Sequence, residues 1–356
     1  ALFEIDEVEQ AMWLSLVAPV VILDKLKDTD FPFHAVTPDR KTIGLMLPTT
    51  PLHKLLFGTK ERPEFDYLVM TSGNARGEPI CRDDRDARSR LTGLADLFLT
   101  HNREISRVCD DSVFMKVDGE MRVLRRARGM APQKLALPFP LTKPLLAMGS
   151  DLKNTFCVAH GQRAILSPHL GDLDYLETLK AQKSISGDLL AFLNWQPALI
   201  AVDLHPDFQS SIRGREIASS LDIPVVEVQH HHAHAAACMA ENGVAEAIAL
   251  VFDGSGMGTD GTIWGGECLH VSENGFRRTG HLGLSQLVGG EGIIVHPQRQ
   301  AVVRLLGAGV EAGQPIWQQI GVNSREVEQM AGLLSSGDFG IATSSAGRLF
   351  DAVSGL

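Results

Sequence analysis

The sequence predicts an α/β protein built in two parts, with a sheet that is parallel in at least one stretch. Three observations lead there. A strand at 198–202, a helix at 212–220 and a strand at 224–228 follow one another as a βαβ unit, the connection that parallel neighbours require. A strand, a glycine-containing polar turn and a second strand occur from Leu145 and again from Ile248, roughly 100 residues apart. At 356 residues the chain is long enough for two or three domains, each with its own core.

In order along the chain, residues 6–17 carry apolar side chains at helical spacing, and Pro19 to Leu23 reads as a buried strand. A short helix is expected from Pro51 to Phe57 behind a proline-flanked turn. Asp66 to Met70 is predicted as a strand running into Thr71-Ser72-Gly73-Asn74, and Arg82 to Arg90 as a solvated helix. Pro132, Pro138, Pro140 and Pro144 predict a linker, because proline bars a helix interior and favours extended chain. A meander of three strands (145–149, 155–159, 163–166) and a helix from Leu176 to Leu193 should follow. A second meander is expected with strands at 248–252, 262–264 and 268–271, its turn formed by Asp253 to Gly258. The paired hairpins resemble a duplicated actin-like ATPase core, in which such turns face nucleotide phosphates.

Composition narrows the classes. Hydrophobic residues make up 44% and charged residues 21%, which excludes disordered, collagen-like and coiled-coil chains. A net charge of -10 argues against a nucleic-acid partner, and no apolar run reaches the roughly 18 residues of a membrane span. The five cysteines are odd in number and widely spaced, with no CxxC pair. That fits reduced thiols in a cytoplasmic protein, and Cys238 reads as a core residue.

Four constellations carry chemistry. Four histidines fall between His230 and His234. If a helix starts near His230, then His230 and His234 lie one turn apart on one face and can grip one ion. With Asp253 they supply three ligands, suited equally to Zn2+ or Fe2+. His231 and His232 are expected behind those ligands or facing phosphate. The Gly254, Ser255, Gly256, Gly258 and Asp260 run can bring backbone N–H groups close to phosphate, although such runs also serve merely as turns. Ser72 and Asn74 at a strand end can hold a planar amide or carboxylate. Arg125, Arg126 and Arg128 form a basic patch suited to phosphate, and Asp110-Asp111-Ser112 can either pair with those arginines or hold Mg2+. Lys153 and Asn154 sit in the first meander's turn.

In their order these motifs resemble the hydrogenase-maturation carbamoyltransferases of the HypF family. The residues Thr71-Ser72-Gly73-Asn74, Gly77-Glu78-Pro79-Ile80, Asp110-Asp111-Ser112 and Leu124 to Gly129 resemble the later part of its YrdC-like domain. Those of Lys153 to Phe156, Gly171-Asp172-Leu173, Asp203 to Asp207, Gln229 to His234, Trp264 to Glu267 and Ser344 to Asp351 resemble its Kae-like actin-fold domain. The resemblance implies a YrdC-like domain at 1–138 and a Kae-like domain at 139–356. It implies ATP, Mg2+, carbamoyl phosphate and one transition metal. The first domain would make carbamoyl-adenylate at Ser72, Asn74 and the Arg125 to Arg128 patch. The second would bind nucleotide at Lys153, Asn154 and the Gly254 to Asp260 run, and a metal at His230, His234 and Asp253. It would pass the carbamoyl group to the C-terminal cysteine of the partner HypE, the precursor of the cyanide ligand of [NiFe]-hydrogenase. The sequence lacks the family's acylphosphatase module and paired zinc fingers, and both of its ends fall inside recognisable elements, so it is expected to be a fragment. Relatives with the same two domains, the antibiotic O-carbamoyltransferases and the threonylcarbamoyl-adenosine synthases, are the enzymatic alternatives. A nucleotide-binding docking scaffold for HypE is the non-enzymatic one.

Overall fold

A computed structural model describes residues 2–26, 29–58, 65–75, 78–288, 296–336 and 340–356. Gly77 of the motif above lies outside them. The contacts divide the chain into one unit of 1–136 and 140–200 and another of 137–139 and 201–356.

The first unit opens with α1 (Glu7–Trp13), whose Asp6 and Glu9 cap its first turn reciprocally, at 2.8 and 3.0 Å. Then come β1 (Val20–Asp24), α2 (Phe33–Val36), β2 (Thr42–Leu45), α3 (Pro51–Leu56), α4 (Asp84–Leu91), β3 (Val113–Val117) and β4 (Glu120–Arg125). The strands form one sheet in the order β2-β1-β3-β4, parallel only between β1 and β3. Val21, Leu23 and Phe114 bury its inner face. The strand expected at 66–70 is absent, and that stretch is irregular although its pattern is apolar: Tyr67, Val69 and Met70 are all exposed.

The predicted linker is in fact β5 (Lys134–Ala147), paired antiparallel with β6 (Cys157–Leu166). Its prolines are tolerated because the pairing is interrupted between Ala136 and Leu141 and between Leu141 and Leu145. The two later strands of the first predicted meander are the single β6, with Gly161 at φ 58° where a turn was expected. Helix α5 (Leu176–Leu193) spans the predicted residues.

From β7 (Leu199–Asp203), α6 (Gln209–Leu221) leads to β8 (Val225–Val228), the neighbour of β7. This is the expected strand–helix–strand unit. Next are α7 (His230–Asn242), β9 (Ala247–Met257), β10 (Ile263–Ser272), β11 (Gly275–His281) and β12 (Ser285–Val288). The described chain closes with α8 (Pro297–Gly307), α9 (Ile316–Gln319), α10 (Ser324–Ser336), β13 (Gly340–Thr343) and α11 (Ala346–Ser354). Their sheet runs β11-β10-β13-β12, with β9 also on β10. Ala235, Val251, Trp264, Leu269 and Val271 pack one core, and Val302, Trp317 and Val327 anchor another.

Two expectations change here. Asp253 to Met257 is not a turn but the end of β9, and the chain reverses at 258–262. The strands predicted at 262–264 and 268–271 are one, β10. Cys238 is exposed on α7 rather than in the core, because Ala235 and not Cys238 falls on the helix face that packs inward.

Candidate functional site

The second unit gathers a histidine and carboxylate cluster where β7, α7 and β9 converge. Gln229 sets its entrance. It caps α7 by accepting the His232 N–H at 2.9 Å, and its amide nitrogen lies 3.0 Å from His231 Nδ1 and donates to the Met257 carbonyl. His230 is the first helical residue, so His234 stacks one turn above it, with Nε2 atoms 3.2 Å apart. Asp253 Oδ2 lies 3.4 Å from His230 Nε2 and 3.3 Å from His231 Nε2. One ligand atom from each of His230, His234 and Asp253 falls within 4.8 Å of the others. Sequence spacing found these three. It passed over Asp203, whose Oδ2 is 2.7 Å from His230 Nδ1. A carboxylate ending the strand next to the histidines was the available signal.

The electrostatics ask for a cation. Burial opposes a charge on His230, but its contacts with Asp203 and Asp253 outweigh that and push its pKa up to about 9. Burial, and then the charge of His230, pull His234 down. Burial favours a neutral Asp253, yet His230, His231 and the Gly254 N–H hold it well below the usual carboxylate range. Asp253 Oδ2 and His231 Nε2 are buried without a well-formed hydrogen bond among the described residues. Two imidazole nitrogens, an under-satisfied carboxylate oxygen and an outer carboxylate fixing the ring of His230 make a donor set that fits Zn2+ or Fe2+. His232 departs from its expected role. It packs on Phe276, with ring centroids 4.7 Å apart.

The glycine-rich run packs against the histidine cluster. Gly256 is pressed against the cluster: a Cβ there would fall 2.6 Å from His231 Cε1. The Gly254 N–H already bonds Asp253 Oδ1 at 2.6 Å, Gly258 backs onto Trp264, and Ser255 is exposed. Asp260 is engaged by Thr262, Trp264 Nε1 and Arg278. Behind it lies a network that spacing did not reveal. Buried Glu267 accepts from the Gly265 and Gly266 N–H groups, from Arg278 Nε at 2.6 Å and from Ser344. Ser345 caps α11 and bonds the Gly254 carbonyl at 2.7 Å.

The first unit holds a cavity of about 960 Å³. Ser72, Asn74, Arg125 and Arg126 line it, and so does Lys153, which the resemblance had assigned to the nucleotide site of the second domain. The Asn74 amide is fixed by the Ala75 and Glu78 carbonyls at 3.1 and 2.7 Å. The Asp110-Asp111-Ser112 run holds the arginine segment in place. Asp110 lies 3.9 Å from Arg125, Asp111 takes Arg128 at 2.6 Å, and Ser112 accepts the Ala127 N–H. Of the two roles open to these acids in the sequence, pairing is the one observed. Arg128 does not line the cavity, because Asp111 and the Ala18 carbonyl hold its guanidinium. Asn154 is buried and spent on the Met148 and Ser150 carbonyls and on Gln182, so it braces the hairpin and has no free group for a ligand. No helix among the described residues is long and apolar enough to cross a membrane.

Comparison with known proteins gives matches in both parts of the chain. Residues 140–241 match the HypF Kae1-like domain, 249–356 the second subdomain of the carbamoyltransferase Kae1-like domain, and 2–127 the Sua5/YciO/YrdC family described as telomere recombination. The chain is 41% identical over 98% of its length to carbamoyltransferase HypF2 of Cupriavidus necator, of which it covers 44%. It is 35% identical over 99% of its length to a probable carbamoyltransferase HypF of Methanocaldococcus jannaschii, covering 46% of it. A solved structure of full-length HypF in the phosphate- and nucleotide-bound form superposes with a TM-score of 0.89 at 36% identity, over 99% of this chain and 54% of that one. The chain thus spans about half the length of the relatives it matches. With matches of this kind running from residue 2 to residue 356 in the family's own order, the chain belongs to the HypF carbamoyltransferase family.

Proposed function

We propose that the chain carries two stages of carbamoyl transfer in [NiFe]-hydrogenase maturation, divided near residue 138. Water hydrolyses carbamoyl phosphate to carbamate and inorganic phosphate, and in the cavity of the first unit the carbamate attacks the α-phosphorus of ATP. A P–O bond forms, the bond to pyrophosphate breaks, and carbamoyl-adenylate results. Arg125, Arg126 and Lys153 neutralise phosphate charge, and Ser72 orients the planar carbamate beside a turn that Asn74 fixes through the Ala75 and Glu78 carbonyls. In the second stage the acceptor, the C-terminal cysteine of HypE, attacks the carbamoyl carbon as a thiolate and AMP leaves. His230, His234 and Asp253 would hold a transition metal, which when bound supplies Lewis-acid polarisation. Asp203 keeps the Nδ1 proton of His230 in place so that Nε2 faces the site.

The observation that carries this reading is the convergence of Ser72, Asn74, Arg125, Arg126 and Lys153, chosen as separate motifs, on one cavity in a HypF-family chain. The test is carbamoyl-phosphate-dependent ATP–pyrophosphate exchange by the full-length protein. Exchange is expected. Nucleotide binding without exchange, in folded protein, would leave a docking scaffold instead.

A further inference from the structure

The loop after β6 is held rigidly against the cavity. The Ser167 N–H bonds the Phe156 carbonyl at 2.8 Å, the His169 N–H the Arg126 carbonyl at 3.1 Å, and the Leu170 N–H the Asn154 carbonyl at 2.9 Å. The ring of His169 is fixed as well, with Nδ1 2.8 Å from Asp110 Oδ2. An ionised carboxylate can only accept, so Nδ1 carries the proton and Nε2 of the neutral ring keeps its lone pair. His169 lines the cavity, and no described residue bonds its Nε2.

The cavity is rich in donors, and several of its carboxylates are already paired. Arg90 takes Glu78 at 2.8 Å and Asp86 at 2.9 Å. Asp172 Oδ1 accepts the Lys153 N–H, and Lys180 holds Glu177, both at 2.7 Å. Asn74 Oδ1 lacks a partner among the described residues but is closed off from solvent. A carbamoyl group presents an oxygen side that wants donors and an amine that wants acceptors. A neutral acceptor serves that amine better than a carboxylate, which would repel the carbamate and phosphate charge beside it.

We propose that His169, oriented by Asp110, accepts the hydrogen bond of the carbamoyl amine through Nε2 and so selects carbamate among small carboxylates. The proposal rests on the reading of this cavity as the adenylate-forming one. His169 joins Lys153 as a residue from beyond residue 138 in that pocket.

The test measures exchange by the full-length protein, with KM for carbamoyl phosphate and for ATP determined separately. His169→Ala should raise the first about tenfold and leave the second within about twofold, the loss of one hydrogen bond to one substrate. His169→Gln, which restores an acceptor at the end of the side chain, should recover most of the loss. Asp110→Asn should copy His169→Ala, because an amide can donate to Nδ1 and move the ring proton to Nε2. The proposal is overturned if His169→Ala, with thermal unfolding like wild type, changes neither KM or raises both alike. It is equally overturned if His169→Gln folds and is no better than His169→Ala. Wild-type protein that fails to exchange at all would remove the adenylate reading itself, an outcome distinct from these.

Discussion

The histidine cluster of the second unit and the cavity of the first solve opposite problems. The cluster draws its groups from residues 203–253, sets them on helix and strand ends, and leaves only a few ångströms between them. The cavity draws its walls from residues 72–185 and spreads cations around about 960 Å³. A single ion needs donors that converge before it arrives, because each misplaced one forfeits a bond. A nucleotide with a small co-substrate needs room and distributed charge. Precision is therefore concentrated in the second unit and capacity in the first.

The largest break in that contrast should come from His230→Ala combined with His234→Ala. Metal measured after gel filtration should fall to background and carbamoyl transfer to the acceptor should stop, while pyrophosphate exchange continues. Unchanged metal content would refute the ligand set. Glu267→Ala is next. It takes the buried acceptor away from Arg278 Nε, Ser344 and two backbone N–H groups, leaving Arg278 to Asp260, and should cost about 1–3 kcal/mol in denaturant unfolding. Burial alone would raise the pKa of Glu267, but Ser344, Arg278 and two backbone N–H groups hold it below its ordinary 4.5. Its contribution is thus full above pH 4.5 and is lost as pH falls through the depressed value, so the gap between wild type and variant should close in acid. A gap that widens toward low pH would contradict this. Asp203→Asn should weaken metal binding about 10–100-fold without emptying the site, measurable by competition with a chelator. The smallest effect separates neighbours in the first unit. Combined Arg125→Ala and Arg126→Ala should slow exchange, whereas Arg128→Ala should leave exchange intact and cost up to about 1 kcal/mol of stability. Equal exchange in the two variants would erase the distinction drawn from the cavity lining.

The two regions were also unequally legible in the sequence. His230 and His234 are four residues apart on a helix that starts at His230, so local spacing was enough, and Asp253 followed as the acid ending the next strand. Helix α5 was equally local. What escaped depends on distant partners. Asp203 meets a ring 27 residues on, signalled only by its place at a strand end, and Glu267 and Ser344 meet across 77 residues. Arg126 and Arg128 look alike in sequence, yet one lines the cavity and the other is tied to Asp111. The proline run misled because β5 places its prolines where pairing is already broken.

Gly256 has a consequence for how this protein can vary. A methyl group there would collide with the ring of His231, and one on Gly347 would come within 2.8 Å of the Gly254 backbone. Neither collision can be relieved by a flexible side-chain tip. A saturation library should therefore find both positions closed to alanine, while exposed Ser255, next to Gly256 in the chain, accepts many residues. Drift in this strand can proceed only through its outward positions, so any lineage that keeps the histidine cluster inherits a backbone it is not free to decorate.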